Sequence, residues 1–224
     1  MLSAAERKGN RWDDEAFWAT GVADVSGALA ECAPHGLKFG HALDFGCGVG
    51  RLSRALSPHF EQVEGVDVSA GMVELARQSP FSNTTFHENP YPHLKLFGDA
   101  RFDFALSVMT LQHMPPGLMK QYVTELGRVL KPGALAWLQV PHAPLSRLSA
   151  LRARTMARRL VFKVPGARRL WKWRKGELPL EMYGLRREKV EHLLRRSGFE
   201  VLRVAVDHAA GDDWQSFHYV ARRR

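Results

Sequence analysis

Short apolar runs alternate with amphipathic stretches through the middle of the chain, which is the pattern of a parallel sheet wrapped by helices. The first run is Ala42-Leu43-Asp44-Phe45; after a cluster of glycines, Leu52, Ala55 and Leu56 recur at helical spacing. The second run, residues 63–68, precedes a helix through Met72, Val73, Leu75 and Ala76. Thr84-Thr85-Phe86 is a weaker third run and residues 102–108 a stronger fourth. Tyr122, Val123, Leu126, Val129 and Leu130 mark one face of a helix over residues 116–130. Lys131-Pro132-Gly133 is expected to stop that helix, because proline cannot continue it and glycine permits a turn; residues 134–140 then read as a fifth, buried strand. Residues 186–197 predict a helix capped by Gly198, and residues 199–206 and 214–221 two strands joined by a Gly-Asp-Asp turn as an antiparallel hairpin. Trp214, Phe217 and Tyr219 are expected in its core, and a helical arm over residues 12–32 precedes the first strand.

The chain has 224 residues, 45% of them apolar and 25% charged, which describes one globular domain and excludes disorder, collagen and coiled coil. Its net charge of +9 suggests an anionic partner until the distribution is inspected. Eleven basic residues and no acidic one fall within residues 143–176, leaving 21 basic against 23 acidic residues elsewhere. The basicity belongs to one segment. Cys32 and Cys47 are too few for a disulfide framework, and nothing nearby has zinc-site spacing, so no metal is expected. No apolar run approaches the ~18 residues of a membrane span and the first residues lack a signal-peptide core, so the expectation is a cytoplasmic protein.

The most informative stretch is Leu43-Asp44-Phe45-Gly46-Cys47-Gly48-Val49-Gly50, between the first strand and its helix. Glycines there let a ligand approach the backbone, and the helix start offers free N–H groups, which implies a nucleotide site. Asp67, 21 residues past Gly46 at the end of the second strand, lies where a carboxylate accepts ribose hydroxyls. A dinucleotide fingerprint would be G-x-G-x-x-G, but Arg51 follows Gly50 and the run is G-x-G-x-G. Asp44 is a charge that a pyrophosphate disfavours and an ammonium group suits. Cys47 reads as a small filler in this turn, since no base stands beside it.

This run resembles the first motif of class I S-adenosylmethionine-dependent methyltransferases, and the resemblance extends over residues 41–140. It continues in Gly65-Val66-Asp67-Val68-Ser69 with Met72 and Ala76, in Phe102-Asp103-Phe104, in Leu111-Gln112-His113-Met114-Pro115 and in Arg128-Val129-Leu130-Lys131-Pro132-Gly133. It implies an α/β, Rossmann-like doubly wound sheet of seven strands with the last antiparallel, here with a helical insertion after the fifth. It also implies S-adenosylmethionine as cofactor. Gly46, Cys47, Gly48 and Gly50 would then carry the methionine and ribose, with Asp44 near the ammonium and Asp67 on the ribose hydroxyls. Val68 and Met72 would pack on the adenine, and Glu88 or Asn89 would read its edge. Ser107, Val108 and Met109 would line the pocket near the methyl. The chain divides accordingly into an arm (1–40), a cofactor-binding core (41–142), a basic insertion (143–183) and a C-terminal helix and hairpin (184–224) of one domain.

A sulfonium is already a good leaving group, so methyl transfer mainly needs the nucleophile held close and aligned. A base is more useful for a hydroxyl than for a nitrogen, and His113 is the candidate, with a capping or packing role as the alternative. Trp18, Gln112, His113 and Tyr183 are the candidate acceptor contacts, His142 a weaker one, and Trp12, Phe17 and Trp18 read also as anchors of the arm. The expected acceptor is a small, amphiphilic metabolite methylated on oxygen or nitrogen.

Within the basic segment, Leu148, Leu151, Thr155 and Phe162 form a narrow helical stripe flanked by arginines, with Trp171 and Trp173 beyond Pro165-Gly166. A lid over the acceptor ranks first. An anionic membrane surface docked through residues 145–176, giving access to a lipid-linked acceptor, ranks second. Nucleic acid ranks third, because the remainder of the domain is slightly acidic. A cofactor-binding fold that has lost its chemistry and serves as an interaction module is the remaining alternative, and the intact glycine run and Asp67 argue against it.

Overall fold

The computed structural model describes residues 14–144, 181–211 and 214–224. The apolar runs become seven strands: β1 (His41–Phe45), β2 (Gln62–Asp67), β3 (Thr84–Glu88), β4 (Phe102–Ser107), β5 (Leu130–Pro144), β6 (Phe199–Asp207) and β7 (Trp214–Arg223). They form one sheet in the order β3-β2-β1-β4-β5-β7-β6. The first five strands are parallel, and β7 runs antiparallel to both β5 and β6. The α-helices are α1 (Asp14–Cys32), α2 (Arg51–Leu56), α3 (Ala70–Ala76), α4 (Pro116–Val129) and α5 (Arg187–Arg196).

Both faces of the sheet are covered, which is why β4 is buried at every position and reads as an unbroken apolar run. On one face Val25, Ala28 and Leu29 of α1 and Leu52 and Leu56 of α2 pack on Ala42, Phe104 and Trp137. On the other, Met119, Tyr122, Val123 and Leu126 of α4 and Val190 and Leu194 of α5 pack on Leu43, Ala105 and Tyr219. Phe217 and Tyr219 are buried, while Trp214 is only partly covered. Trp12, the basic segment over residues 145–176, and Asp212 and Asp213 lie outside the described residues. No helix among the described residues is long and apolar enough to cross a membrane.

The Lys131-Pro132-Gly133 turn differs from expectation. The α4 helix ends at Val129, and Leu130 is already extended (φ −80°, ψ 139°) and paired with Phe102 of β4. The next pair in register is Phe104 with Leu135, so Lys131-Pro132-Gly133 is a bulge within β5 and not a turn before it. Proline biases the residue before it toward extended backbone, and Lys131 Nζ is fixed 2.8 Å from Asp103 Oδ2.

One buried charge braces the early strands. Glu64 of β2 is 5% exposed and meets His41 Nε2 of β1 at 2.8 Å, His87 Nε2 of β3 at 2.7 Å and Arg101 Nε at 2.7 Å. Burial alone would raise its carboxyl, but the bonds from His87 and Arg101 hold it below the usual carboxylate range.

Candidate functional site

The strand order reverses between β1 and β4, and at such a switch point the loops leaving the two strands diverge and open a crevice. The glycine turn after β1 forms one side. The Gly46 and Cys47 amides donate to the Val66 carbonyl, at 2.8 and 3.1 Å. Gly48, at φ +54°, has open space where a Cβ would stand, and its N–H donates to Asp67 Oδ2 at 2.9 Å. Gly50, at φ +86°, packs over the ring of Phe86, which together with Cys47, Val73 and Ala76 fills the space beneath the turn.

Two carboxylates flank this turn. Asp67 accepts from the Gly48 amide and, through Oδ1 at 2.9 Å, from the Ser69 amide, so each oxygen keeps lone pairs for a further donor. Asp44 is fully buried. Its Oδ2 accepts the Ser53 hydroxyl at 2.6 Å, whereas Oδ1 has no hydrogen-bond partner. Burial pushes the Asp44 carboxyl up to about 6, with the Ser53 bond and Arg51 opposing. A buried carboxylate with one orphaned oxygen beside an open backbone calls for a cationic donor from a ligand. Burial also pushes the Cys47 thiol up, which fits packing and not nucleophilic use.

The turn opens on a cleft of about 760 Å³. Of the residues singled out in the sequence, Gly46, Cys47, Gly48, Gly50, Met72, Val108 and Trp18 line it, together with Phe17 and Met109. Val68 is 68% exposed just before α3, and Met72 and Leu75 of that helix are also exposed, so an apolar ridge borders the cleft. Ser107 is buried beneath the site, its hydroxyl donating to the Phe45 carbonyl at 3.1 Å. Asn89 is buried beside the site, with its amide nitrogen donating to the Tyr91 and His93 carbonyls at 3.2 and 2.8 Å. It shapes the loop after β3 and does not line the cleft.

Sequence reading missed Arg51, Arg54, Leu75, Gln78, Pro80 and Thr110, all of which line the cleft. The two arginines lie three apart, one helical turn, and that spacing was the available signal. Met109 stands at φ +57°, an uncommon conformation for a side-chain-bearing residue. Its N–H donates to Gln139 Oε1 at 2.9 Å, and Gln139 Nε2 in turn donates to Ser216 Oγ at 2.7 Å and Gln112 Oε1 at 3.3 Å. A buried polar chain therefore ties the loop after β4 to β5 and β7.

Gln112 and His113 belong to this chain and do not line the cleft. His113 Nε2 lies 3.3 Å from Gln112 Nε2 and Nδ1 lies 3.2 Å from the Glu181 carbonyl, so both ring nitrogens are engaged. Burial lowers its pKa, favouring the neutral imidazole. Tyr183 donates its backbone N–H to the Gln112 carbonyl at 2.7 Å and its hydroxyl to Glu181. His142 accepts the Arg187 amide at Nδ1, at 2.9 Å. The residues that follow the basic segment are thus seated on the turn after β4.

Residues 42–133 match the family model described as a methyltransferase domain. Over 100 residues the chain is 33% identical to the O-methyltransferase cnsE of Penicillium expansum, covering 42% of this chain and 35% of that one. Over 99 residues it is 31% identical to the ubiquinone biosynthesis O-methyltransferase of Coxiella burnetii, covering 43% and 42%. The matches span less than half the length of these curated relatives. A crystal structure of a SAM-dependent methyltransferase from Methanosarcina mazei superposes with a TM-score of 0.65 at 25% identity, covering 82% of this chain and 92% of that one.

Proposed function

Residues 42–133 match the methyltransferase-domain model, and from that premise we propose that the protein is a class I S-adenosylmethionine-dependent enzyme that transfers the cofactor's methyl group to a small acceptor bound in the cleft. The observation that carries the reading is the glycine turn with a carboxylate on each side, one of them holding a buried oxygen without a partner. When bound, the cofactor supplies an electrophilic methyl on a sulfonium.

Everything else falls to the chain's own groups. The orphaned Asp44 oxygen suits the ammonium of the methionine end, and the remaining lone pairs of Asp67 suit the ribose hydroxyls. Val68 and Met72 offer apolar surface for the adenine, with Asn89 fixing the loop opposite. Val108 and Met109 border the reacting region above Ser107. Aligning the acceptor in such an apolar cleft supplies a rate advantage that reaches about 7–11 kcal/mol in favourable cases. Among the described residues, no side chain lining the cleft is a ready proton acceptor at neutral pH, which fits a reaction driven by orientation and by the sulfonium as leaving group. Phe17, Trp18 and Pro80 make the acceptor's surroundings apolar, and two relatives named as O-methyltransferases favour oxygen as its nucleophile.

The test is calorimetric titration of S-adenosylmethionine into the parent protein and Asp67→Ala. A Kd weakened at least tenfold, with the circular dichroism of the fold retained, is expected. Equal affinity would refute the assignment of Asp67.

A further inference from the structure

Arg54 is the charge in the cleft that the reading above leaves without a task. It sits on α2 with its amide bonded to the Gly50 carbonyl at 2.8 Å, and its guanidinium lies 4.7 Å from the Trp18 ring centroid and 5.7 Å from that of Phe81. Arg51, one turn earlier, is answered by Asp24 Oδ2 at 2.6 Å and Thr20 Oγ1 at 3.1 Å. Arg54 has no carboxylate in ion-pair reach among the described residues. Among the described residues, the cleft lining contains no Asp, Glu, Lys or His, and Arg54 is the cation there for which no ion pair is formed with them.

Stacking holds a guanidinium by its faces and leaves the N–H edge free, and that planar fork matches a carboxylate in a bidentate way. The wall around it comes from α1 and the chain just after α3, namely Phe17, Trp18, Gln78 and Pro80, whereas Asp44 and Asp67 flank the glycine turn. We propose that Arg54 is an anion subsite for the acceptor: the molecule methylated carries a carboxylate, held by Arg54, on an apolar or aromatic body that rests against Trp18. This rests on the methyltransferase reading. The same chemistry is present at the methionine end of the cofactor, so a test must separate the two sources of carboxylate.

The probe pair is 3-(4-hydroxyphenyl)propanoate and its methyl ester, titrated calorimetrically into protein saturated with S-adenosylhomocysteine. Affinity for S-adenosylhomocysteine is measured in parallel on the parent, Arg54→Met and Arg54→Lys. The acid is expected to bind at least tenfold more tightly than the ester. Arg54→Met should remove that preference and Arg54→Lys restore part of it, while S-adenosylhomocysteine affinity stays within threefold in both variants. Equal binding of acid and ester, an acid preference that survives in Arg54→Met, or no binding of the acid at millimolar concentration would overturn the proposal. Loss of S-adenosylhomocysteine affinity in Arg54→Met would assign the guanidinium to the cofactor and overturn it as well. If the parent binds no S-adenosylhomocysteine, the methyltransferase reading itself falls, a result distinct from all of these.

Discussion

Replacing Asp44 by Asn separates the cost of keeping a carboxylate in the core from the use made of it. In the ligand-free protein burial pushes the Asp44 carboxyl up to about 6 from an ordinary 3.8. An acid with a folded value above its unfolded one destabilises the fold only where the unfolded chain has lost the proton. The penalty is absent below pH ~3.8, grows toward pH 6 and is constant above; a shift of about two units corresponds to about 3 kcal/mol. Asn keeps an oxygen to accept the Ser53 hydroxyl but does not titrate. Urea denaturation of both proteins between pH 3 and pH 7.5 should therefore show the parent losing about 3 kcal/mol relative to Asp44→Asn as pH rises. Groups such as Glu64, Asp103 and Glu125 titrate in both proteins and cancel in the difference. Saturating S-adenosylmethionine should shrink the offset, because an ammonium beside the orphaned oxygen stabilises the charged form. Parallel stability profiles for the two ligand-free proteins would refute the argument.

Glu64→Gln removes the charge that His41, His87 and Arg101 contact and should cost about 3 kcal/mol at pH 7, the lower end for breaking a buried pair because the cation, Arg101, is partly exposed. Its carboxyl is held low, so this stability exists above the ordinary carboxylate range and disappears as pH falls through the depressed folded value; a defect of equal size at pH 3 would contradict it. Gln139→Leu strips the acceptor from the Met109 amide and the partners from Ser216 and Gln112, at about 1–3 kcal/mol per stranded group. Turnover should fall about tenfold or more as the loop after β4 shifts, and wild-type melting and kinetics would refute this. His113→Asn should lower kcat less than tenfold and leave the pH–rate profile in place, since both ring nitrogens are engaged away from the cleft; a loss of about 10²–10⁴ would identify a base.

The strands and the glycine turn were legible because their signals are local: apolar runs bounded by breakers, and a glycine at each position of positive φ in the turn. Asp44 and Asp67 were legible because the turn and the end of β2 fix where they stand. The bulge at Lys131-Pro132-Gly133 was not, since its cause is the pairing of Leu130 with Phe102, a contact between distant segments. Gln139 and Glu64 sit within apolar runs, where a single polar residue reads as noise until its partners on other strands are known. His113 and Asn89 carry the chemistry expected of a site, yet their directions depend on carbonyls of Glu181, Tyr91 and His93 that no motif contains. Arg54 shows the converse: an ordinary helix-surface residue by sequence becomes notable through what it lacks.

The position of β7 bears on when the protein becomes competent during synthesis. This strand lies between β5 and β6 although it follows both in the chain, so a nascent polypeptide emerging from the ribosome has its glycine turn and both flanking carboxylates while a gap remains in the sheet. Ser216, which anchors Gln139 and through it the Met109 amide, arrives with the strand that closes that gap. Translation thus finishes the glycine turn and its two carboxylates first and the brace of the loop after β4 last, so that a chain stalled before residue 214 holds the turn without the Ser216 anchor.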